Sequence, residues 1–199
     1  MTGPSQPTVL EMRDADLPRL LAINEANVPE VGSVDEDRLR RLVELSAVAL
    51  IVDVADMLAG FCLVLPLGTD YDSLNYRWFD DRHDDVMYVD RVAIDARFRR
   101  RGLGTLLYDE VERRVAQAGA TGLTLEVNID PPNPPSLAFH AGRGYLEVGR
   151  QATPYGIEVS MMHKDLGLAP PDPEIRTQVP AEREDPYAER EEAGDHRRS

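Results

Sequence analysis

The sequence predicts one mixed α/β domain, a sheet with helices interleaved irregularly between its strands. Three observations carry this reading. Alternating or continuous runs of β-branched and apolar residues at 47–65, 87–94 and 123–128 have the pattern of strands. Apolar stripes at helical spacing around 17–23 and 103–115 have the pattern of helices packed on a sheet. A chain of 199 residues with 42% hydrophobic content can build one continuous core, and is too short for two ordinary domains.

In chain order, residues 8–12 form a first short strand. Asp14 and Asp16 offer caps for a helix carrying Leu17, Leu20, Leu21 and Ile23. A second short helix starts near Asp35 and turns Leu39, Leu42, Val43 and Leu45 inward. Residues 47–54 and 57–65, joined by Ala55-Asp56, read as an antiparallel hairpin. A long loop over about 66–85 follows, carrying Tyr71, Tyr76, Trp78, Phe79 and many acids. The strand at 87–94 leads to an amphipathic helix at 102–118, with Leu103, Leu106, Leu107, Val111 and Val115 on one stripe and Gly119 closing it.

Residues 123–128 alternate strictly, Leu123, Leu125 and Val127 against Thr124, Glu126 and Asn128, which describes a central strand with one polar face. Asn133 can cap a short helix that begins at Pro134 and runs through Ser136, Leu137, Phe139 and His140. Strands at 145–151 and 157–164 close the order β-α-α-β-β-β-α-β-α-β-β, with no internal repeat. After Leu168 the chain is rich in Pro and charge and has few large apolar residues. The expected organisation is a domain over 1–167 and an acidic, Pro-rich, disordered tail over 168–199.

Composition narrows the function classes. A net charge of −14 argues against a nucleic-acid binder, because neutralising phosphates needs a basic surface. The first ten residues lack a basic start with an apolar run, and no stretch approaches the roughly 20 apolar residues that span a bilayer. A soluble cytoplasmic protein without membrane contact is expected. Cys62 is the only cysteine, so no internal disulfide or thiolate metal cluster can form, and its apolar surroundings read as a buried, inert thiol. No metal site is expected.

The chemistry concentrates at residues 95–105. Gly102 and Gly104 let backbone N–H groups approach an anion, and the helix that follows adds about half a positive charge at its N-terminus. Arg97, Arg99, Arg100 and Arg101, four arginines within five residues, supply counter-charge for a diphosphate. A basic surface turn before a helix would look the same from the glycine pair alone. Spacing excludes other phosphate loops: no GxxxxGK[ST] occurs, and no third glycine completes a dinucleotide fingerprint.

Two blocks in register resemble the GNAT superfamily of acetyl-CoA-dependent N-acetyltransferases. The first runs from Val92-Ala93-Ile94-Asp95-Ala96 to Arg99-Arg100-Arg101-Gly102-Leu103-Gly104. The second is Asn133, Ser136, Phe139, His140, Gly144 and Tyr145. The resemblance covers roughly residues 8–164 and implies a central, mostly antiparallel mixed sheet with flanking helices. It also implies acetyl-CoA as cosubstrate. The pantetheine arm would then lie beside Val92, Ala93 and Ile94, and the diphosphate on Arg99, Arg100, Arg101, Gly102, Leu103, Gly104 and Thr105. Asn128, Ser136 and Phe139 fall within the same cofactor set, and Asn133 is either a ligand to the pantetheine or a plain helix cap.

Amide formation needs a neutral amine and a protonated leaving thiol. The family's usual acid is the tyrosine of a Phe-Tyr pair, whose place His140 takes here. A histidine can donate near neutral pH, and a packing role is the alternative. Tyr145 is a second candidate acid. Glu126 and Asp90 are candidate bases, with ordered water as the alternative. By the resemblance, the acceptor pocket draws on the first two helices and the long loop, hence on Asn24, Glu25, Asn27, Tyr71, Asp72, Tyr76 and Trp78. Acids mixed with aromatics suit a small cationic amine, polyamine-like, amino-sugar or amino-acid-derived, although the same run would also serve as a solvated loop. A non-catalytic acyl-CoA sensor and a protein or peptide N-acetyltransferase are the competing readings. Dimers are common in the family, so a homodimer fits the resemblance.

Overall fold

The computed structural model describes residues 6–154 and 156–167. Its elements are β1 (Thr8–Glu11), α1 (Leu17–Glu25), α2 (Glu36–Leu45), β2 (Val48–Asp53), β3 (Leu58–Pro66), α3 (Leu74–Asp80), β4 (Val86–Ile94), α4 (Leu103–Gln117), β5 (Gly122–Asp130), α5 (Pro134–Gly142), β6 (Leu146–Ala152) and β7 (Glu158–Asp165). The expected tail at 168–199 lies outside the described residues.

The seven strands form one sheet in the order β1-β2-β3-β4-β5-β7-β6. Every neighbouring pair is antiparallel except β4 and β5. The β2–β3 hairpin closes through Ala55 and Asp56, both at positive φ (54° and 61°), the backbone a tight two-residue hairpin turn demands. Strand alternation then sorts the apolar residues onto two faces. Leu50, Val52, Cys62, Val64, Leu123, Leu125 and Val127 pack under α4 with Leu107, Val111 and Val115. Ile51, Phe61, Leu63, Leu65 and Tyr88 pack under α1, α2 and α3. Because β3 is covered on both faces, it reads in sequence as an unbroken apolar run. Cys62 sits within it, fully buried, and burial pushes its thiol up.

Two local expectations are corrected. The stretch over 66–85 is not all loop: α3 forms within it, with the Ser73 hydroxyl accepting from the Tyr76 amide (3.3 Å) and Tyr76 and Phe79 buried. Seven residues with two inward aromatics are too short to display a helical period. Asp14 and Asp16 do not cap α1; they form a 3-10 turn in which Asp16 accepts from the Arg13 amide (2.8 Å). Asp35 does cap α2, accepting from the Arg38 amide at 2.7 Å.

The feature that positions the site is where pairing stops. β4 and β5 are joined only at Val86↔Gly122, Met87↔Leu123 and Tyr88↔Thr124. Beyond these, β4 stays with β3 as far as Ile94, and β5 stays with β7 as far as Asp130. The halves of the sheet diverge and leave a wedge between them.

Packing at the β3–β4 seam is tight. A Cβ at Gly60 would fall 2.7 Å from the Ala93 carbonyl oxygen and closer still to the Ile94 side chain, whereas one at Gly142 would meet open space. Gly60→Ala is expected to cost about 1–3 kcal/mol in urea unfolding, the range for overpacking a filled core, with Gly142→Ala close to wild type.

Candidate active site

The wedge between β4 and β5 is a cleft of about 850 Å³. One of its walls is the turn entering α4. Asp95 fixes that turn by accepting from the Arg97 amide (2.9 Å) and pairing with Arg19, and Phe98 anchors it in the core. Arg100 (φ 59°) and Gly102 (φ 77°) then swing the chain through left-handed conformations into the helix. No side chain caps α4, whose first bond runs from the Leu106 amide to the Gly102 carbonyl (3.0 Å). The amides of Leu103, Gly104 and Thr105 therefore lack intrahelical partners, and all three residues border the cleft. An uncapped helix start with the macrodipole behind it is an anion site.

Strand parity decides which β4 groups face the opening. The Ala93 carbonyl turns over Gly60 on β3, so by alternation the peptide groups of Val92 and Ile94 face the unpaired edge. The Ile94 carbonyl accepts weakly (3.4 Å) from Arg99 Nε and from Asn27 Nδ2. Across the cleft, α5 approaches closely enough that a Cβ on Gly104 would touch the Phe139 ring at 3.6 Å. Asn133 Oδ1 caps α5, accepting from the Ser136 amide at 3.2 Å.

Glu126 of β5 borders the cleft, accepting from the Tyr88 hydroxyl (2.7 Å) and from Asn75 Nδ2 (2.9 Å). Burial raises its carboxyl to about 7, against the opposing pull of those two donors. Asp90 is differently placed. A register shift between Leu63 and Val64 leaves it the extra residue on β4, where it forms a buried ion pair with Arg91 (2.7 Å; side chains 3% and 7% exposed) and accepts from the Tyr71 hydroxyl (2.6 Å). His140 is 4% exposed, with Nδ1 2.8 Å from the Ser136 carbonyl and Nε2 2.7 Å from the Tyr108 hydroxyl. Burial pulls its ring down to about 4.

The sequence profile described as the Acetyltransferase (GNAT) family matches residues 19–145. The chain belongs to the GNAT acetyltransferase family. No curated protein matches the sequence. Among solved structures, the ribosomal-protein-S18-alanine N-acetyltransferase of Escherichia coli is similar at TM-score 0.65 and 17% identity, covering 84% of this chain and 98% of its own. Ard1 of Thermoplasma volcanium is similar at TM-score 0.67 and 17% identity, covering 80% and 97%. Arabidopsis thaliana NAA60, solved with acetyl-CoA, is similar at TM-score 0.65 and 16% identity, covering 80% and 99%. At these identities the likeness concerns the GNAT fold.

Within this GNAT domain the cleft is bordered by Val92, Ile94, Arg99, Arg100, Gly102, Leu103, Gly104, Thr105, Asn128, Asn133, Ser136 and Phe139, and also by Asn27, Tyr71, Asp90 and Glu126. Several sequence expectations are corrected. Ala93 faces β3 and the core, and Arg101 lies over the Phe98 ring (5.3 Å) away from the cleft lining. Asp90 is consumed by Arg91 and Tyr71. His140, neutral and engaged at both nitrogens, has no proton to give near pH 7. Tyr145 is buried behind the cleft, its hydroxyl without a partner among the described residues.

Asn24 and Glu25, expected at the acceptor, lie one layer behind the cleft lining. Asn24 links Arg91 (2.9 Å) to the Gly32 carbonyl (3.0 Å), and Glu25 accepts from Ser33 (2.7 Å) and the Val34 amide (3.0 Å). They fix the loop that brings Glu30 and Val31 to the cleft. Asp72 pairs with Arg38, Tyr76 bridges Thr69 and Pro66, and Trp78 packs on Gly149 beneath Arg82. Tyr88 and Tyr108 border the cleft although the sequence reading did not name them, and Asn75 of the 66–85 stretch borders it too. The available signal was that a tyrosine inside an apolar stripe must find its hydroxyl a partner.

Tyr145 offers a test of that rule. Removing its unpaired hydroxyl with Tyr145→Phe is expected to leave stability unchanged or raise it by about 1 kcal/mol in urea unfolding, with no loss of turnover.

Proposed function

We propose that the protein transfers the acetyl group of acetyl-CoA directly to a small primary amine within one ternary complex. The observation that carries this reading is that the uncapped start of α4 and the Glu126 carboxyl open into the same cleft. The free edge of β4 at Val92 and Ile94 suits the pantetheine amides, which would add to the sheet as a further strand. The amides of Leu103, Gly104 and Thr105 suit the diphosphate, with Arg99 and Arg100 at its flank.

Glu126 takes the amine's proton. A carboxyl raised to about 7 is partly ionised near neutral pH and holds the proton well enough to be an effective base there. Its partners Tyr88 and Asn75, the latter tied to Gln151 (2.7 Å), hold the carboxylate in place. The acidic loop does less than its composition promised. Asp72 and Asp80 are bound internally, to Arg38 and to the Gly68 amide, and Asp90 to Arg91, so the acceptor arm keeps Glu126 inside and Glu30 at the rim. That supply of charge suits a monoamine better than a polyamine, and the apolar walls at Tyr71, Val31, Ile157 and Val159 suit a partly apolar body. A positioned base with a near-neutral carboxyl also favours catalysis over acyl-CoA sensing.

Thiol release from acetyl-CoA over a panel of primary amines tests the activity. Activity confined to peptides would refute the small-amine assignment, and no turnover with any acceptor would refute the enzyme. For the wild type, kcat/KM is expected to rise with pH through about 7 as Glu126 ionises. In Glu126→Gln that limb should vanish and the rate fall about 10²- to 10⁴-fold. The linkage to stability has a definite sign. The native carboxyl holds its proton to a higher pH than the unfolded one, so the wild type loses stability between about pH 4.5 and 7, and Glu126→Gln removes that slope.

A further inference from the structure

We infer that Tyr108 is the catalytic acid that protonates the departing thiolate, and that His140 is the residue that positions it, an inference resting on the acetyl-transfer reading above. Tyr108 lies one turn beyond Gly104 on α4, facing α5, and both it and His140 border the cleft next to Gly104 and Phe139. The phenol is fixed on every side. Its ring stands edge-on to Phe139 (centroids 5.3 Å) and Tyr145 (6.1 Å), and its hydroxyl is 2.7 Å from His140 Nε2.

The direction of that last bond follows from His140 itself. A neutral imidazole carries one N–H. Nδ1 lies 2.8 Å from the Ser136 carbonyl, which can only accept, so the N–H is on Nδ1 and Nε2 receives the Tyr108 proton. The mobile proton at this junction therefore sits on the phenol and not on the histidine. Among the described residues, the other tyrosines bordering the cleft are Tyr71 and Tyr88, whose hydroxyls are committed to Asp90 and Glu126. The position that carries tyrosine in the family's Phe-Tyr pair is His140 here, and the phenol stands instead on α4, touching it. The hydroxyl has changed helix while staying at the junction.

The step balances. The amine nitrogen bonds to the thioester carbonyl carbon, and the resulting ammonium gives its proton to Glu126. The C–S bond then breaks with its electron pair on sulfur. The Tyr108 O–H rotates from Nε2 to the sulfur and yields its proton, leaving a phenolate over which Arg143 sits 5.4 Å from the ring centre. Solvent returns a proton to the phenolate as Glu126 releases one, so the net products are amide and free thiol.

The test uses the full chain, with hydroxylamine as a small generic acceptor and thiol release from acetyl-CoA as readout. Tyr108→Phe should keep acetyl-CoA affinity by calorimetry within about twofold, while kcat falls about 100-fold and its solvent deuterium isotope effect disappears. His140→Gln, whose amide oxygen can accept the same proton, should keep kcat within about fivefold, and His140→Leu should lose more than about tenfold at unchanged acetyl-CoA affinity. Wild-type kcat and isotope effect in Tyr108→Phe would overturn the assignment while leaving acetyl transfer intact. Equal losses in His140→Gln and His140→Leu would overturn the positioning role. Absence of thiol release by the wild type would overturn both this inference and the reaction it rests on.

Discussion

Three residue pairs hold the two halves of the sheet together, and the rest of the site depends on their stopping where they do. Parallel pairing of β4 and β5 ends at Tyr88↔Thr124, after which each strand keeps only its outer neighbour. Such an exposed strand edge ordinarily invites aggregation, and its survival inside a domain calls for an occupant. Here the edge faces a cleft walled by α4 and α5, with a free helix start at one end and a protonatable carboxyl in the other arm. The same divergence thus supplies unpaired peptide groups, a free helix start and a partly desolvated carboxyl.

Polar pairing decides which charged residues remain available for chemistry. The β4 bulge turns Asp90 and Arg91 toward each other, and the pair is extended by Tyr71 on one side and Asn24 on the other. This chain of bonds ties β4 to the α1–α2 loop, and its members Tyr71, Asp90 and Arg91 border the cleft. On the cofactor side, Arg99 donates to Asn27 Oδ1 at 2.7 Å, linking the α4 turn to the end of α1. A buried charge without a partner is costly, so most acids near the cleft are bound to something. Glu126 differs in that, among the described residues, hydroxyl and amide donors hold it and no ion pair does, and burial raises its carboxyl toward neutrality.

Much of the frame was legible from the residues. Runs of β-branched and apolar residues located β2, β3 and β4, strict alternation located β5, and the stripe from Leu103 to Val115 located α4. The turn at 95–105 was legible because left-handed backbone and an uncapped helix start leave glycines in the sequence. Less was legible on the acceptor side. The acids and aromatics at 70–81 look like a binding surface in one dimension, yet α3 turns Tyr76 and Phe79 into the core and Trp78 onto Gly149. Asp90 and Glu126 resembled each other as strand carboxylates, and only the bulge and the neighbouring tyrosines separate them. His140 was readable as the occupant of a tyrosine position. That its ring folds back on Ser136 and meets Tyr108 is a three-dimensional fact with no periodic trace.

The measurement closest to the central claim is amide hydrogen exchange with and without acetyl-CoA. Ligand seated along the open β4 edge and on the start of α4 predicts added protection at Val92, Ile94, Leu103, Gly104 and Thr105, with Ala93, already facing β3, and the β6–β7 ladder unchanged. Saturating acetyl-CoA that left those five amides exchanging at their free rates would contradict the account.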